Sequence, residues 1–194
     1  MNEFVKMKNI CLASSSIRRQ QILEEMCLDF VVNHPVKFKE KLSGLDPEAL
    51  VCHNALGKAK EVAEKYKDSI IIGCDTVVTY KNEILGKPLT SDNAHIMLMK
   101  LSGNCHCVFS GLAVIDTQQN RELVGHDKTE VKFRNLSKKE INNYIASDEP
   151  LDKAGAYGIQ GQGGAFVESV KGSFSNVVGL PKELLVKFLV ELEI

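Results

Sequence analysis

The chain switches repeatedly between two hydrophobic periods, and each switch marks the border of a predicted element. Continuous or alternating apolar runs predict strands over residues 10–13, 30–32, 69–73, 105–115, 123–133 and 165–170. Apolar residues spaced by three or four predict helices over residues 18–26, 47–65, 91–101 and 138–146, and a last helix from Pro181 onward. A hairpin is predicted over residues 76–85, with its turn at Lys81 and Asn82.

Polar residues at the helix starts support these borders. Asp46 is a predicted N-cap, and Pro47 follows it at the first helical position. Ser137 and Glu140 have the spacing of a capping box, in which each side chain accepts from the backbone N–H of the other residue. Strands and helices that mix along one chain, without internal repeats or linkers, predict an α/β fold on a mixed sheet. We therefore expect a single domain over residues 1–194.

Composition restricts the classes of partner. The 194 residues are 44% hydrophobic and 25% charged, with a net charge of −1. Nucleic-acid and membrane-surface binding need a broad basic field, so we expect neither partner, although a small anionic ligand needs only a local group of cations. No apolar run approaches the roughly 20 residues that span a bilayer. Residues 1–8 are polar and charged, which is not typical of a secretory signal, and we expect a cytoplasmic protein.

The six cysteines lie in apolar or amphipathic segments, as small buried thiols do in a reducing compartment. Cys105, His106 and Cys107 are the one cluster that suggests zinc. Alternation along a strand places the two cysteines on one face and His106 on the other, so the three side chains cannot all ligate one ion. We therefore expect no metal at this cluster.

The segment over residues 147–161 is unlike any core element. It combines three carboxylates and Lys153 with several glycines, and Gln160 lies near its end. Glycine lets a backbone bend sharply and bring its N–H groups close to a ligand. The alternative is a long surface connection with several turns.

Two strand ends carry further candidates. Asp75, with Thr76 beside it, follows the predicted strand over residues 69–73, and ligands of α/β sheets bind beyond the carboxyl ends of strands. Asp75 is either a residue that binds a metal or activates water, or a cap that ends the strand. Residues 14–19 join a strand-to-helix turn to Arg18 and Arg19, and free N–H groups at a helix start favour an anion. The alternative there is a capped surface helix.

The remaining charged candidates indicate phosphate chemistry. Lys58 lies among small and apolar helix positions and is either functional or a lysine at the core edge. Lys87 precedes Pro88 in an extended break. Neither lysine belongs to a P-loop, and the chain has no dinucleotide fingerprint or Ser-His-Asp triad. Cations bind phosphates and carboxylates such as Glu40 and Asp75 hold Mg²⁺, so this set predicts phosphoryl chemistry on a small, highly charged ligand.

Six motifs in order resemble the Maf-like nucleoside triphosphate pyrophosphatases, which have an ITP-pyrophosphatase-like fold. They are LASSSIRR at residues 12–19, ALGKA at 55–59, GCDTVV at 73–78, GKP at 86–88, SDEPLDKAGAYGIQG at 147–161 and NVVGLP at 176–181. The resemblance covers nearly the whole chain. It implies an elongated central mixed sheet flanked by helices, with two lobes around a cleft, and a homodimer. It also implies hydrolysis of a nucleoside triphosphate to the monophosphate and pyrophosphate with a divalent cation, Mg²⁺ or Mn²⁺.

The resemblance assigns roles to individual residues. Asp75 is similar to the catalytic base, and Asp75 with Glu40 would hold the metal. Thr76 and Gln160 are typical of the dTTP/UTP branch, with CTP or modified pyrimidine nucleotides as further substrates. The positions similar to those that bind the substrate or set the preferred base are Arg18, Thr76, Gln160, Ser14, Ser16, Lys58 and Lys87. The rival interpretations are a nucleotide-binding regulator of cell division and septum formation without activity, and a phosphotransferase.

Overall fold

The computed structural model describes residues 8–194. Residues 1–7, which make up most of the stretch behind the secretory-signal expectation, lie outside the described part. The strands, in chain order, are β1 (Asn9–Leu12), β2 (Phe30–Val32), β3 (Ser69–Tyr80), β4 (Glu83–Leu85), β5 (Cys105–Asp116), β6 (Arg121–Phe133) and β7 (Val167–Lys171). The α-helices are α1 (Ile17–Glu25), α2 (Pro47–Ala63), α3 (Ser91–Leu101), α4 (Lys138–Ile145), α5 (Phe174–Val178) and α6 (Lys182–Glu191).

The strands form one seven-stranded mixed sheet in the order β2-β1-β3-β5-β6-β7, with β4 paired to β3. β1 runs parallel to both β2 and β3, and the other pairs are antiparallel. Helices flank this sheet, which confirms the predicted α/β class. Among residues 8–194, no helix combines the length and apolar character that crossing a membrane requires.

The prediction that the buried strand ends before Asp75 is wrong. β3 continues from Ser69 to Tyr80, and Asp75 pairs with Gly111 of β5 in the middle of the sheet. The strand continues because Asp75 finds polar partners on a neighbouring helix, so the charge does not have to reach solvent at a strand end. The predicted hairpin is confirmed, since Tyr80 of β3 pairs with Glu83 of β4 across the turn.

Helix α2 lies unusually close to the centre of the sheet. A Cβ built on Gly73 of β3 would lie 2.3 Å from the carbonyl oxygen of Ala55, and one on Gly111 of β5 would lie 2.2 Å from that of Val51. The absence of side chains at these two glycines therefore lets the helix backbone contact the strands directly. Asp46 caps the helix by accepting from the Ala49 N–H at 2.8 Å, as predicted.

Two regions near the C-terminus differ from the prediction. The strand predicted over residues 165–170 begins at Val167, because Gln162–Phe166 form a 3-10 helix. Helix α5 was not predicted; Ser173 caps it by accepting from the Asn176 N–H. The predicted alternation of the Cys105 cluster is confirmed, with His106 buried and Cys105 exposed.

Candidate active site

The candidate residues from distant parts of the sequence lie around one cleft of about 870 Å³. The cleft lies at the end of β1, beside α2 and β3, and under the glycine-rich segment. The residues predicted for the site that line it are Ser14, Ser16, Arg18, Glu40, Lys58, Asp75, Thr76, Lys87 and Gln160. The structure thus brings together every residue that the sequence analysis singled out for binding or catalysis.

Asp75 is held on the cleft floor by two side chains of α2. Its Oδ1 accepts from Lys58 Nζ at 2.7 Å, and its Oδ2 accepts from Asn54 Nδ2 at 2.9 Å. Residues four apart on a helix lie on one face, so Asn54 and Lys58 reach the same carboxylate. The side chains of Asp75 and Lys58 are each only 9% exposed. The carboxylate is therefore fixed in orientation by two hydrogen bonds, one to each oxygen.

Lys58 joins the two carboxylates that were predicted to hold a metal. Its ammonium lies 2.6 Å from Glu40 Oε1 and also donates to the Cys74 carbonyl at 3.2 Å. Partial burial raises the pKa of the Glu40 carboxyl, but Lys58, with Lys87 and Arg19 farther away, outweighs it and lowers that pKa below its ordinary value. All three protons of Lys58 thus have acceptors, so it acts on the carboxylates rather than projecting freely into the cleft.

The donor set fits a divalent cation that is completed by its substrate. Within residues 8–194, no group of three or more His, Cys, Asp or Glu side chains could hold an ion by itself. Glu40 and Asp75 nevertheless both contact the Lys58 ammonium, and these two carboxylates and one cation together carry a net negative charge. Mg²⁺ is commonly held by one or two carboxylates together with substrate phosphates. The residues present therefore fit a metal that binds with a nucleotide.

Arg19 connects its own helix, α1, to three other parts of the cleft wall. Its Nε donates to the Gly179 carbonyl at 2.8 Å, and Nη1 donates to Ser14 Oγ at 2.9 Å. Its Nη2 donates to Thr76 Oγ1 at 3.3 Å, and Thr76 in turn lies 2.9 Å from the Ser110 hydroxyl. A guanidinium with fixed orientation at this position presents its charge to the cleft.

The cations at the cleft mouth are more exposed. Arg18 Nη1 lies 3.8 Å from Asp152 Oδ2, which joins the start of α1 to the glycine-rich segment. The neighbouring Lys153 donates to Asp152 at 2.6 Å and to the Glu149 carbonyl at 2.7 Å. Lys87 is exposed and lines the cleft. Three cations and the Asp152 carboxylate therefore lie at the mouth, and this excess of positive charge attracts an anion.

The glycine-rich segment is tied to the core by tyrosines. The Tyr144 hydroxyl donates to Glu149 at 2.9 Å and accepts from the Gly158 N–H at 3.1 Å. The Tyr157 hydroxyl lies 2.9 Å from His106 Nε2, beneath the segment. Gln160 is exposed at the cleft lining, two residues after the anchored Gly158. The segment is consequently an anchored wall and not a loose connection.

Sequence reasoning missed two residues of the site. The sequence analysis gave Asn54 no role, and it counted Arg19 only as a second cation beside Arg18. The signal for Asn54 was a polar residue on an otherwise apolar helix face, four positions before Lys58. The signal for Arg19 was weaker, since the sequence does not tell which of two adjacent arginines turns inward.

The chain is similar to a known family over nearly its full length. The family model described as "Maf-like protein" matches residues 9–192. A protein of Dictyoglomus thermophilum named dTTP/UTP pyrophosphatase is 47% identical, over 90% of this chain and 91% of that protein. Proteins of the same name from Clostridium botulinum strain Kyoto and Clostridium novyi are 43% and 46% identical, over 96% and 92% of this chain and 98% and 94% of their own. Among solved structures, the Ham1 protein of Staphylococcus aureus has a TM-score of 0.45 and 14% identity, over 65% of this chain and 72% of that one.

Proposed function

The chain belongs to the Maf-like protein family, and we propose that it is a nucleoside triphosphate pyrophosphatase that hydrolyses dTTP and UTP to the monophosphate and pyrophosphate. The observation that carries this proposal is the buried Asp75 on the floor of the cleft, bonded to Lys58 and Asn54. The names of the relatives support the pyrimidine triphosphates, and CTP or modified pyrimidine nucleotides are further candidates.

Asp75 is proposed as the base that accepts a proton from the attacking water. The water oxygen bonds to the α-phosphorus, the bond from the α-phosphorus to the bridging oxygen breaks, and pyrophosphate leaves with that oxygen. Lys58 and Asn54 hold Asp75 in one orientation, so little reorganisation is needed when the proton moves. Arg18, Arg19 and Lys87 face the negative charge of the phosphate oxygens.

The metal is proposed to be Mg²⁺ or Mn²⁺, held by Asp75 and Glu40 together with the substrate. When bound, such a cation neutralises phosphate charge and stabilises the leaving pyrophosphate. Lys58 balances the two carboxylates, and Ser14 and Ser16 at the end of β1 offer further hydrogen bonds to the phosphates.

The choice of base is assigned to Arg18, Thr76 and Gln160, which line the cleft around this centre. A glutamine amide has both donor and acceptor groups and can match the edge of a pyrimidine. Thr76 lies beside Asp75, and its hydroxyl is within reach of Arg19 and Ser110, so its position is fixed.

A panel of nucleoside triphosphates with Mg²⁺ tests the function. Pyrophosphate and monophosphate are expected from dTTP and UTP with the native chain, and none from Asp75→Asn, which keeps the shape of the side chain. Asp127→Asn, a strand residue outside the cleft lining, is the matched control and should remain active. Near-normal turnover by Asp75→Asn would contradict the assignment of Asp75 as base.

The same panel separates the rival functions. A regulator of cell division or septum formation that only binds nucleotides would release no pyrophosphate while still shifting the melting temperature with dTTP. A phosphotransferase would require an acceptor and yield a modified product. We favour the hydrolase because Asp75 is buried beside the cleft and held by Lys58 and Asn54, an arrangement that suits a base for a water molecule.

Three further proposals concern the domain organisation, the oligomeric state and the location of the protein. We propose that residues 1–194 fold as one domain with two lobes, that two copies form a homodimer, and that the protein acts in the cytoplasm. One cooperative melting transition and a dimeric mass in light scattering are the results expected; two separate transitions or a monomeric mass would contradict the first two.

A further inference from the structure

The segment that carries Glu40 has no regular secondary structure, yet its backbone is bound by a side chain of helix α2. Glu61 Oε1 accepts from the backbone N–H of Val36 at 2.7 Å and from that of Lys37 at 3.0 Å. Its Oε2 accepts from the N–H of Lys37 at 3.0 Å and from that of Phe38 at 2.5 Å. Three successive N–H groups thus converge on one carboxylate.

Successive backbone N–H groups that point to one side form a concave anion site. Here the anion is supplied by the protein itself. The N–H of Val36, with those of Lys37 and Phe38, lowers the pKa of the Glu61 carboxyl below its ordinary value. Hydrogen bonds to an ionised acceptor are stronger than those between neutral groups, so Glu61 is a strong anchor for this stretch of backbone.

A second anchor lies on the other side of Glu40. Asn54 Oδ1 accepts from the Lys41 N–H and Asn54 Nδ2 donates to the Lys41 carbonyl, each at 2.9 Å. Between the anchors, the Phe38 ring lies directly over Gly57, where an added Cβ would be only 2.0 Å from the ring. Glu40 therefore lies on a short bridge of chain that is fixed at both ends to α2.

The two anchors and Lys58 share one face of the helix. Asn54, Lys58 and Glu61 are spaced by four and three residues, which aligns them along α2. Glu40 itself is 46% exposed and touches this face through Lys58. Its location consequently depends on the backbone on either side of it and not on burial of its own side chain.

We propose that Glu61 is a positioning residue. Its hydrogen bonds to the backbone of residues 36–38 hold Glu40 beside Lys58 and Asp75, so that the divalent-cation site is formed before the ion binds. This inference rests on the proposed function, in which Glu40 helps to hold the cation. A site that is ordered before the ion arrives binds it more tightly, because the ordering cost is not paid at that moment.

The first test needs no activity. Amide hydrogen exchange is measured on the full chain for Glu61→Gln, which keeps the shape but loses the charge and one acceptor. Exchange at Val36, Lys37 and Phe38 should become at least about tenfold faster, while the core amides of α2 stay unchanged. Glu64, an exposed carboxylate three residues later at the C-cap of the same helix, provides the matched control, and Glu64→Gln should change none of these rates.

The second test measures the metal requirement of pyrophosphate release from dTTP. Glu61→Gln should raise the Mg²⁺ concentration for half-maximal rate by about tenfold, with kcat at saturating Mg²⁺ within about twofold of native. In a Glu40→Gln background the same change should have no further effect, because the residue that Glu61 positions is already lost.

The outcomes separate this inference from the proposed function. Unchanged exchange at residues 36–38 in Glu61→Gln overturns the inference whatever the activity. An equal loss of activity with and without Glu40 also overturns it, since Glu61 would then act on stability in general. A native chain that releases no pyrophosphate overturns the proposed function alone, and the exchange measurement then decides whether Glu61 holds the segment.

Discussion

Gln160 lies at the mouth of the cleft with an exposed side chain, two residues after the anchored Gly158. In the proposed complex, changing Gln160 to Glu removes the amide donor and adds a negative charge beside the carbonyl oxygens of the base. We expect kcat/KM for dTTP and UTP to fall by about 10–100-fold relative to a purine triphosphate, since an unpaired polar group costs about 1–3 kcal/mol. Gln162→Glu adds the same charge outside the cleft lining and should leave the ratio unchanged. An unaltered substrate profile in Gln160→Glu would remove this residue from base recognition.

Arg19 is the residue through which the four parts of the cleft wall are joined. Arg19→Lys keeps the charge but not the planar fork, so at least one of the three bonds is lost. We expect kcat/KM to fall about tenfold or more and the free energy of unfolding to fall by about 1–2 kcal/mol. Enzyme kinetics and urea unfolding measure the two effects.

Arg134 provides a matched control for this prediction. It also makes three hydrogen bonds, to the Ala165 and Asn135 carbonyls and to Glu140, and it does not line the cleft. Arg134→Lys should lower stability to a similar degree without changing kcat/KM. Equal kinetic losses in the two variants would show that Arg19 acts only through folding.

At the residue scale, the sequence indicated which residues lie around the cleft better than it indicated how they are arranged there. Asp75, Glu40 and Lys58 all line the cleft as expected. Lys58 binds both carboxylates only because α2 lies close to β3 in the fold. The three residues are far apart in the sequence, so no local sequence pattern indicates that they are in contact. The same reason explains why the middle of β3 was taken for its end.

At the element scale, helix α2 is the support of the site, and its distance from the sheet is set at two glycines. In Gly111→Ala the new Cβ would lie 2.2 Å from the Val51 carbonyl oxygen and 2.8 Å from the Cys52 nitrogen, so backbone must move. Overpacking of this kind costs about 1–3 kcal/mol. Because α2 carries Asn54 and Lys58, we expect kcat to fall as well as the free energy of unfolding.

Gly125 on the neighbouring strand β6 provides a control for the general cost of adding a methyl group. In Gly125→Ala the new Cβ would meet only the ends of the Phe188 and Leu184 side chains, at 3.1 Å or more, and these can shift. That variant should retain kcat and most of its stability in urea unfolding. If Gly111→Ala behaved in the same way, the direct contact between helix and sheet would not be what places Lys58.

At the scale of the whole molecule, the stability of the fold should depend on pH through one buried histidine. His106 is 2% exposed beneath the glycine-rich segment, and its Nδ1 has no hydrogen-bond partner among residues 8–194. Burial lowers the pKa of His106 to about 4, from an ordinary value of 6.5. As the pH falls through this window the unfolded chain binds a proton that the folded chain does not, so the fold loses stability.

Carboxylates add to this loss only at lower pH. Burial raises the pKa of Glu40, but the Lys58 ammonium outweighs this effect and lowers that pKa, and Arg134 lowers the pKa of Glu140 to about 2. The stabilisation that these two carboxylates contribute is therefore present above the ordinary carboxyl pKa of 4.5 and is lost below it. The loss of stability between about pH 6.5 and about pH 5 is therefore assigned to His106. Over that interval it amounts to about 2 kcal/mol.

Urea unfolding of the native chain and of His106→Phe at about pH 7.5 and about pH 5 tests this dependence. The native chain should lose about 2 kcal/mol on acidification, whereas His106→Phe, although less stable throughout because Tyr157 loses its partner, should lose much less. His34 is an exposed histidine, and His34→Asn should lose as much stability on acidification as the native chain. If His106→Phe lost as much stability as the native chain, the acid sensitivity would have to come from another group.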